Sequence, residues 1–375
     1  MLMTMDVAIV AAYALGLFAI AQWVSREPAG QRKDAQGYFL AGKALPWWAI
    51  GASLIAANIS AEQIIGMSGS GYAIGLAIAS YEWMAAFTLL LVGKFFLPIF
   101  LRAGIYTMPQ FLAQRYDERV KTVMAVFWLG VYTLVNLTSI LWLGALAINT
   151  VAGVDLSIGL MALGVFALAY SLYGGLRAVA LTDIIQVTLL VAGGLMISWI
   201  LLDQIGDGRG PIAGFVALSD QAPEKFEMIL AQDHAHYMSL PGLSVLLGGM
   251  WIMNLSYWGF NQYIIQRALA AKSIDEAQKG IVFAAFLKLL MPLIVVLPGI
   301  AMYALSPDLS APDKAYPSAM MLLPTGVKGL VFAALLAAIV SSLASMCNSI
   351  STIFTMGVAL SLGVAPAHDD QEIRT

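Results

Sequence analysis

Nine stretches of this chain are apolar for about 20 residues or more, the length a helix needs to cross a bilayer. They cover residues 5–24, 47–66, 73–101, 122–148, 156–173, 178–202, 243–265, 281–303 and 326–362. In hydrocarbon every backbone N–H and C=O must be satisfied within the protein, so stretches of this kind fold as helices. The expected class is an all-α polytopic membrane protein, with a single transmembrane domain over residues 1–362 and a polar tail over 363–375. Charged residues make up 11% of the chain, against about 25% in soluble domains. A net charge of −3 and the absence of a basic run leave nothing to meet nucleic-acid phosphates. The one cysteine, Cys347, permits no disulfide framework. His234 and His236 stand two positions apart with no third ligand beside them to complete a tetrahedral metal site. No nucleophile–base–orienter set or phosphate loop points to an enzyme.

Lys and Arg flank the spans unevenly. If the N-terminus is outside, thirteen fall in loops on the inner side, Arg267 among them; Arg209, Lys225, Lys314 and Lys328 fall on the outer side. The positive-inside bias therefore predicts an external N-terminus. The polar loop 203–240 has room for a short amphipathic helix, and Tyr173-Gly174-Gly175-Leu176 reads as a tight turn between two spans.

Two spans are interrupted. Between Trp47 and Tyr72 an apolar run gives way to Asn58, Ser60, Glu62 and Gln63, then to Gly66, Gly69 and Gly71. Polar groups at bilayer depth lack water, and glycines loosen a helix, so this segment is expected to unwind and line a cavity. A second run, 248–266, carries Asn254, Ser256, Tyr257, Asn261 and Gln262. Broken helices in both halves of a chain mark the binding site of an inverted-repeat transporter. Amides and hydroxyls donate and accept hydrogen bonds, as sugar hydroxyls do. Tyr81, Trp83, Tyr257 and Trp258 offer flat faces, although each taken singly reads equally as packing.

Glu82 and Lys288 sit mid-span, and Asp183 begins another span. Such groups mark a pathway or pair with one another as a structural brace. In the ninth span Ser341 and Ser342 are adjacent, with Ser345 a turn further on. Hydroxyls beside freed carbonyls form a hard oxygen shell for a small cation, whereas serines in spans also bond simply to the preceding turn.

Four stretches carry a resemblance: YFLAGKALPWWAIGASLIAANISAEQIIGMSGSGY, YSLYGGLRA, WGFNQYIIQRALAAKS and FAALLAAIVSSLASM. Over residues 37–356 the chain resembles bacterial sodium/glucose-type cotransporters of the sodium:solute symporter family. The resemblance implies a five-plus-five inverted-repeat fold of the leucine-transporter type with an extra N-terminal helix. The first repeat would cover about 47–202, and a partial second repeat about 243–362. It implies sugar contacts at Gln63, Glu82, Asn254 and Lys288, with Tyr257 stacking on the sugar as the inner gate and Met67 and Tyr81 as outer gates. Sodium would be held by the carbonyls of Ala56, Ile59 and Ala338 and the hydroxyls of Ser341 and Ser342, with Asp183 on its exit path.

The implied function is sodium-coupled symport of a glucose- or galactose-like sugar across the bacterial inner membrane. Sodium is the one cofactor this calls for; the sugar, sodium and the bilayer are the partners. Ala85 stands where the family carries a sugar-contacting serine. Past Met356 the resemblance stops, with fewer helices than the family's usual set, so a C-terminally shortened transporter is expected. Rival readings are a symporter of another solute, such as an inositol or amino acid, and a non-transporting remnant or sensor.

Overall fold

The computed structural model describes residues 2–24, 40–240 and 242–359. Helices account for its regular structure. We label them α1 (Thr4–Val24), α2 (Trp47–Asn58), α3 (Glu62–Ala73), α4 (Leu76–Ala103), α5 (Glu118–Ala152) and α6 (Leu156–Ile205). Then follow α7 (Pro211–Gln221), α8 (Met250–Leu255), α9 (Gln262–Leu269), α10 (Ile274–Leu305), α11 (Ala315–Met321) and α12 (Val327–Ile353).

Among the described residues, five stretches are long and apolar enough to span a membrane: α4, α5, Thr182–Ile205 within α6, α10, and Val327–Met356. The pair α2 and α3, bent by 64°, makes a sixth, and Thr4–Ile20 and Leu156–Ala169 are shorter apolar helices. Eight of the nine expected spans thereby fall on helices, six of them long and apolar enough to cross a membrane. The remaining one, 243–265, is not a single helix but a series of short pieces. Two π-turns, Val245–Gly249 and Ser256–Phe260, flank α8, and an extended residue, Asn261, separates them from α9. The backbone of α6 is helical through the Tyr173–Leu176 turn, whose side chains lie outside the description. The loop after α6 does contain a helix, α7.

Buried helices form the centre. In α2 every residue from Ala49 to Asn58 is buried, consistent with a helix that is apolar all round. It packs against α10 and α6; α6 in turn lies along α12 and α5, and α10 also runs along α4. Helix α1 lies against α6 and α12. Its buried Asp6 accepts the backbone N–H groups of Gly326 (2.7 Å) and Gly329 (3.0 Å) at the start of α12. A carboxylate at a helix N-terminus satisfies donors that have no intrahelical partner, which ties the N-terminal helix to the bundle.

The position of the break in the first interrupted span corrects the sequence reading. Helix α2 ends at Asn58, where Ile59 takes ψ 74° and the Ser60 N–H turns back to the Asn58 carbonyl at 2.8 Å. The chain is helical again through Gly66, Gly69 and Gly71. Two of those glycines mark close packing rather than unwinding: a Cβ on Gly71 would stand 2.6 Å from the Val296 carbonyl oxygen, and one on Gly69 would stand 2.7 Å from Asp313 Oδ1, whereas one on Gly66 would meet nothing within 4 Å. From the other side, Gly299 presses on the Ser68 carbonyl.

Candidate functional site

At its break, α2 presents carbonyls that no further turn satisfies, and α3 presents N–H groups likewise. The surrounding side chains supply partners in two directions.

Toward one side lies a cavity of about 540 Å³, within the range of small-ligand sites. Its wall holds a continuous polar chain. The Tyr257 hydroxyl accepts from Asn58 Nδ2 at 3.0 Å. Lys288 Nζ donates to Asn58 Oδ1 and, at 2.6 Å, to Glu82 Oε2. The other Glu82 oxygen accepts from Gln63 Nε2 at 2.6 Å, and the same amide nitrogen lies 2.8 Å from the Met67 sulfur. Lys288 Nζ also stands 5.0 Å over the Trp258 ring, in cation–π geometry. Asn254 lines the cavity and gives one amide hydrogen to the Met250 carbonyl at 3.0 Å. Tyr81, Ala85, Glu62 and Asp313 also line the cavity. Burial raises the Asp313 carboxyl above its usual range. The structure thus gathers Gln63, Glu82, Asn254, Lys288, Tyr257, Met67 and Tyr81 around one space. Of the flat faces, Trp83 does not line it.

Toward the other side lies a fully buried knot of hydroxyls and charges. Ser342 donates to the Ala57 carbonyl at 3.4 Å, and that carbonyl also accepts from the Tyr263 hydroxyl. Ser341 donates to Asp183 Oδ1, and Ser53 donates to Asp183 Oδ2 at 2.6 Å. Arg267 stands 3.8 Å from Asp183, donates to Ser53 Oγ at 3.0 Å and reaches Ser345 Oγ at 2.6 Å. Ala56 on α2, Ile59 just after it and Ala338 on α12 are buried, and α2 packs against α12. The hydroxyl of Ser342 meets Ala57, which the sequence reading did not single out. Asp183 stands at the beginning of the apolar span Thr182–Ile205, as expected, and there it lies inside the longer helix α6 with no exposure.

The largest correction concerns Arg267. Expected in an inner loop, it is 1% exposed and lies on α9, which continues to Leu269. Lys328 and Lys225 are likewise buried, so the charge asymmetry between the two sides rests on fewer residues. Ser53 and Tyr263 are partners that hydropathy alone does not single out. The spacing of Tyr263 and Arg267, four apart and therefore on one helix face, was the available signal.

A helical membrane protein with two broken helices around a polar cavity is the architecture of a secondary transporter. The model of the sodium:solute symporter family matches residues 38–374. The match extends through the tail read above as lying outside the family. A sodium/glucose cotransporter of Vibrio parahaemolyticus is 57% identical over 370 residues, 94% of this chain and 68% of its own length. A human sodium/myo-inositol cotransporter 2 is 34% identical over 378 residues, covering 94% of this chain and 56% of that one. The chain thus spans between about half and two thirds of the length of these relatives. Among solved structures, a substrate-bound, outward-open sodium-coupled sialic acid symporter superposes with a TM-score of 0.83. That match is at 24% identity, over 96% of this chain and 74% of the other, and shows the fold. This chain belongs to the sodium:solute symporter family. It is a multi-pass membrane protein.

Proposed function

We propose that this chain forms the sodium-coupled pathway for a glucose- or galactose-like sugar, working by alternating access. The observation that carries this reading is the chain Gln63–Glu82–Lys288–Asn58–Tyr257 around the cavity. It mixes donors and acceptors of both charge signs, which suits a neutral polyhydroxyl ligand. A sugar would exchange its hydroxyls for the contacts these groups now make with one another, and Tyr257 would stack on its ring as inner gate, with Met67 and Tyr81 on the outer side.

Sodium is a co-transported substrate in this scheme rather than a resident cofactor. Ala56, Ile59 and Ala338 carbonyls with the Ser341 and Ser342 hydroxyls would hold it, since hard oxygen donors suit a small hard cation. Asp183 would receive it on exit, the Arg267 guanidinium keeping that carboxylate partnered when the ion has left. The two sites share α2: Asn58 faces the cavity, while Ala57 faces Ser342. Coupling requires such a shared element.

The membrane is the bacterial inner membrane, with the N-terminus outside. Maleimide that cannot cross the membrane should label Ser239→Cys in a Cys347→Ser background on intact cells; protection of that site would reverse the orientation.

Uptake of labelled glucose into proteoliposomes bearing this chain tests the whole reading. Uptake should require a sodium gradient and be lost on replacing sodium by potassium; equal uptake in both would remove the coupling. The relatives named for myo-inositol favour one second reading, a cyclic polyol as cargo. Stronger inhibition of uptake by myo-inositol than by glucose would select it.

A further inference from the structure

A second cavity, of about 230 Å³, lies between α1, α5, α6 and α12, away from the polar chain described above. Its wall is almost wholly apolar, from residues such as Leu17, Phe18, Leu163, Phe166 and Leu336. Dry apolar cavities as small as about 150 Å³ hold benzene-sized molecules.

Two polar atoms break this lining. Gln186 lines the cavity and is 1% exposed; its Oε1 has no hydrogen-bond partner among the described residues. Tyr13 lines it from α1, and its hydroxyl is buried and likewise without a partner among the described residues. Leaving a buried polar group unsatisfied forfeits the hydrogen bonds it would make with water. Two such residues in the wall of one apolar space give it a polar fixing point, the pattern of small-molecule sites in general.

We propose that this cavity binds a neutral amphiphile drawn from the bilayer, with an apolar body and a single hydroxyl. The complementarity sets the chemistry. Gln186 Oε1 only accepts, so the ligand must donate to it; the Tyr13 hydroxyl can donate to a ligand oxygen. A hydroxyl does both, whereas an alkane does neither. A charged headgroup has no counter-ion in this lining and would be expensive to bury.

The test uses the full chain in lipid nanodiscs and a diazirine-bearing octanol as the probe, with labelled residues mapped by mass spectrometry. Saturable labelling is expected within residues 10–18 and 333–340. Octanol should displace the probe and octane should not. Gln186→Leu and Tyr13→Phe, which keep the volume, should each weaken probe binding by about two- to tenfold, the value of one hydrogen bond. Ala337→Phe, which fills the space, should abolish it. Displacement by octane as strong as by octanol, labelling unchanged in Gln186→Leu, or labelling that persists in Ala337→Phe would each overturn the proposal.

Discussion

Lys288 and Glu82 are 1% and 3% exposed and meet at 2.6 Å. Removing one member of a buried pair strands the other charge, at a cost of about 3–5 kcal/mol, whereas replacing both can be nearly neutral. Lys288→Met and Glu82→Gln should therefore each lower detergent-phase stability by that amount. The double variant should regain most of the stability while binding no sugar. Thermal unfolding with a sugar-binding assay reads both; a double variant as unstable as the sum of the singles would contradict the pairing. Ala85 lines the cavity beside this pair and offers no hydrogen bond. Ala85→Ser should tighten sugar binding by roughly two- to tenfold, equivalent to about 0.5–1.5 kcal/mol; unchanged affinity would place the sugar elsewhere. Much of this residue-level chemistry was legible in the chain, because Glu82, Lys288, Gln63 and Asn254 are conspicuous in apolar surroundings. Arg267 was not. It follows an apolar run where a loop is equally consistent, and only the continuation of α9 to Leu269 carries it into the interior.

At the level of elements, α3 and α10 approach so closely that side chains are excluded from their contact. Gly71→Ala would drive a methyl to 2.6 Å from the Val296 carbonyl oxygen, so backbone must shift. Overpacking of this sort costs about 1–3 kcal/mol. Gly130→Ala, which meets nothing within 4 Å, should be neutral or stabilising by up to about 1 kcal/mol. Melting temperatures of the two variants compare these directly, and equal values would refute the close approach. Interruption of the two spans was readable from their polar content. The location of the first break was not: glycine is ambiguous between loosening a helix and admitting a neighbour. Here it admits α10, while the break falls earlier, at Ile59 and Ser60, where polar groups from other helices take over the backbone's partners.

For the molecule as a whole, the proposed cation and sugar sites meet across one turn of α2. Linkage then demands symmetry: the factor by which sodium tightens sugar binding must equal the factor by which sugar tightens sodium binding, about 5–150-fold. Calorimetric titrations of each ligand with and without the other should give the same ratio; two independent affinities would uncouple the sites. The sequence by itself determined the class, because a bilayer leaves helices as the only fold for long apolar runs, and it exposed which polar residues must face inward. Which groups pair was decided only by the tertiary structure. Glu82 and Lys288 are 206 positions apart, and Asp183 reaches Ser53 across 130 and Ser341 across 158. Periodicity and hydropathy are local signals, whereas a hydrogen bond is set by the distance between atoms that helix packing brings together.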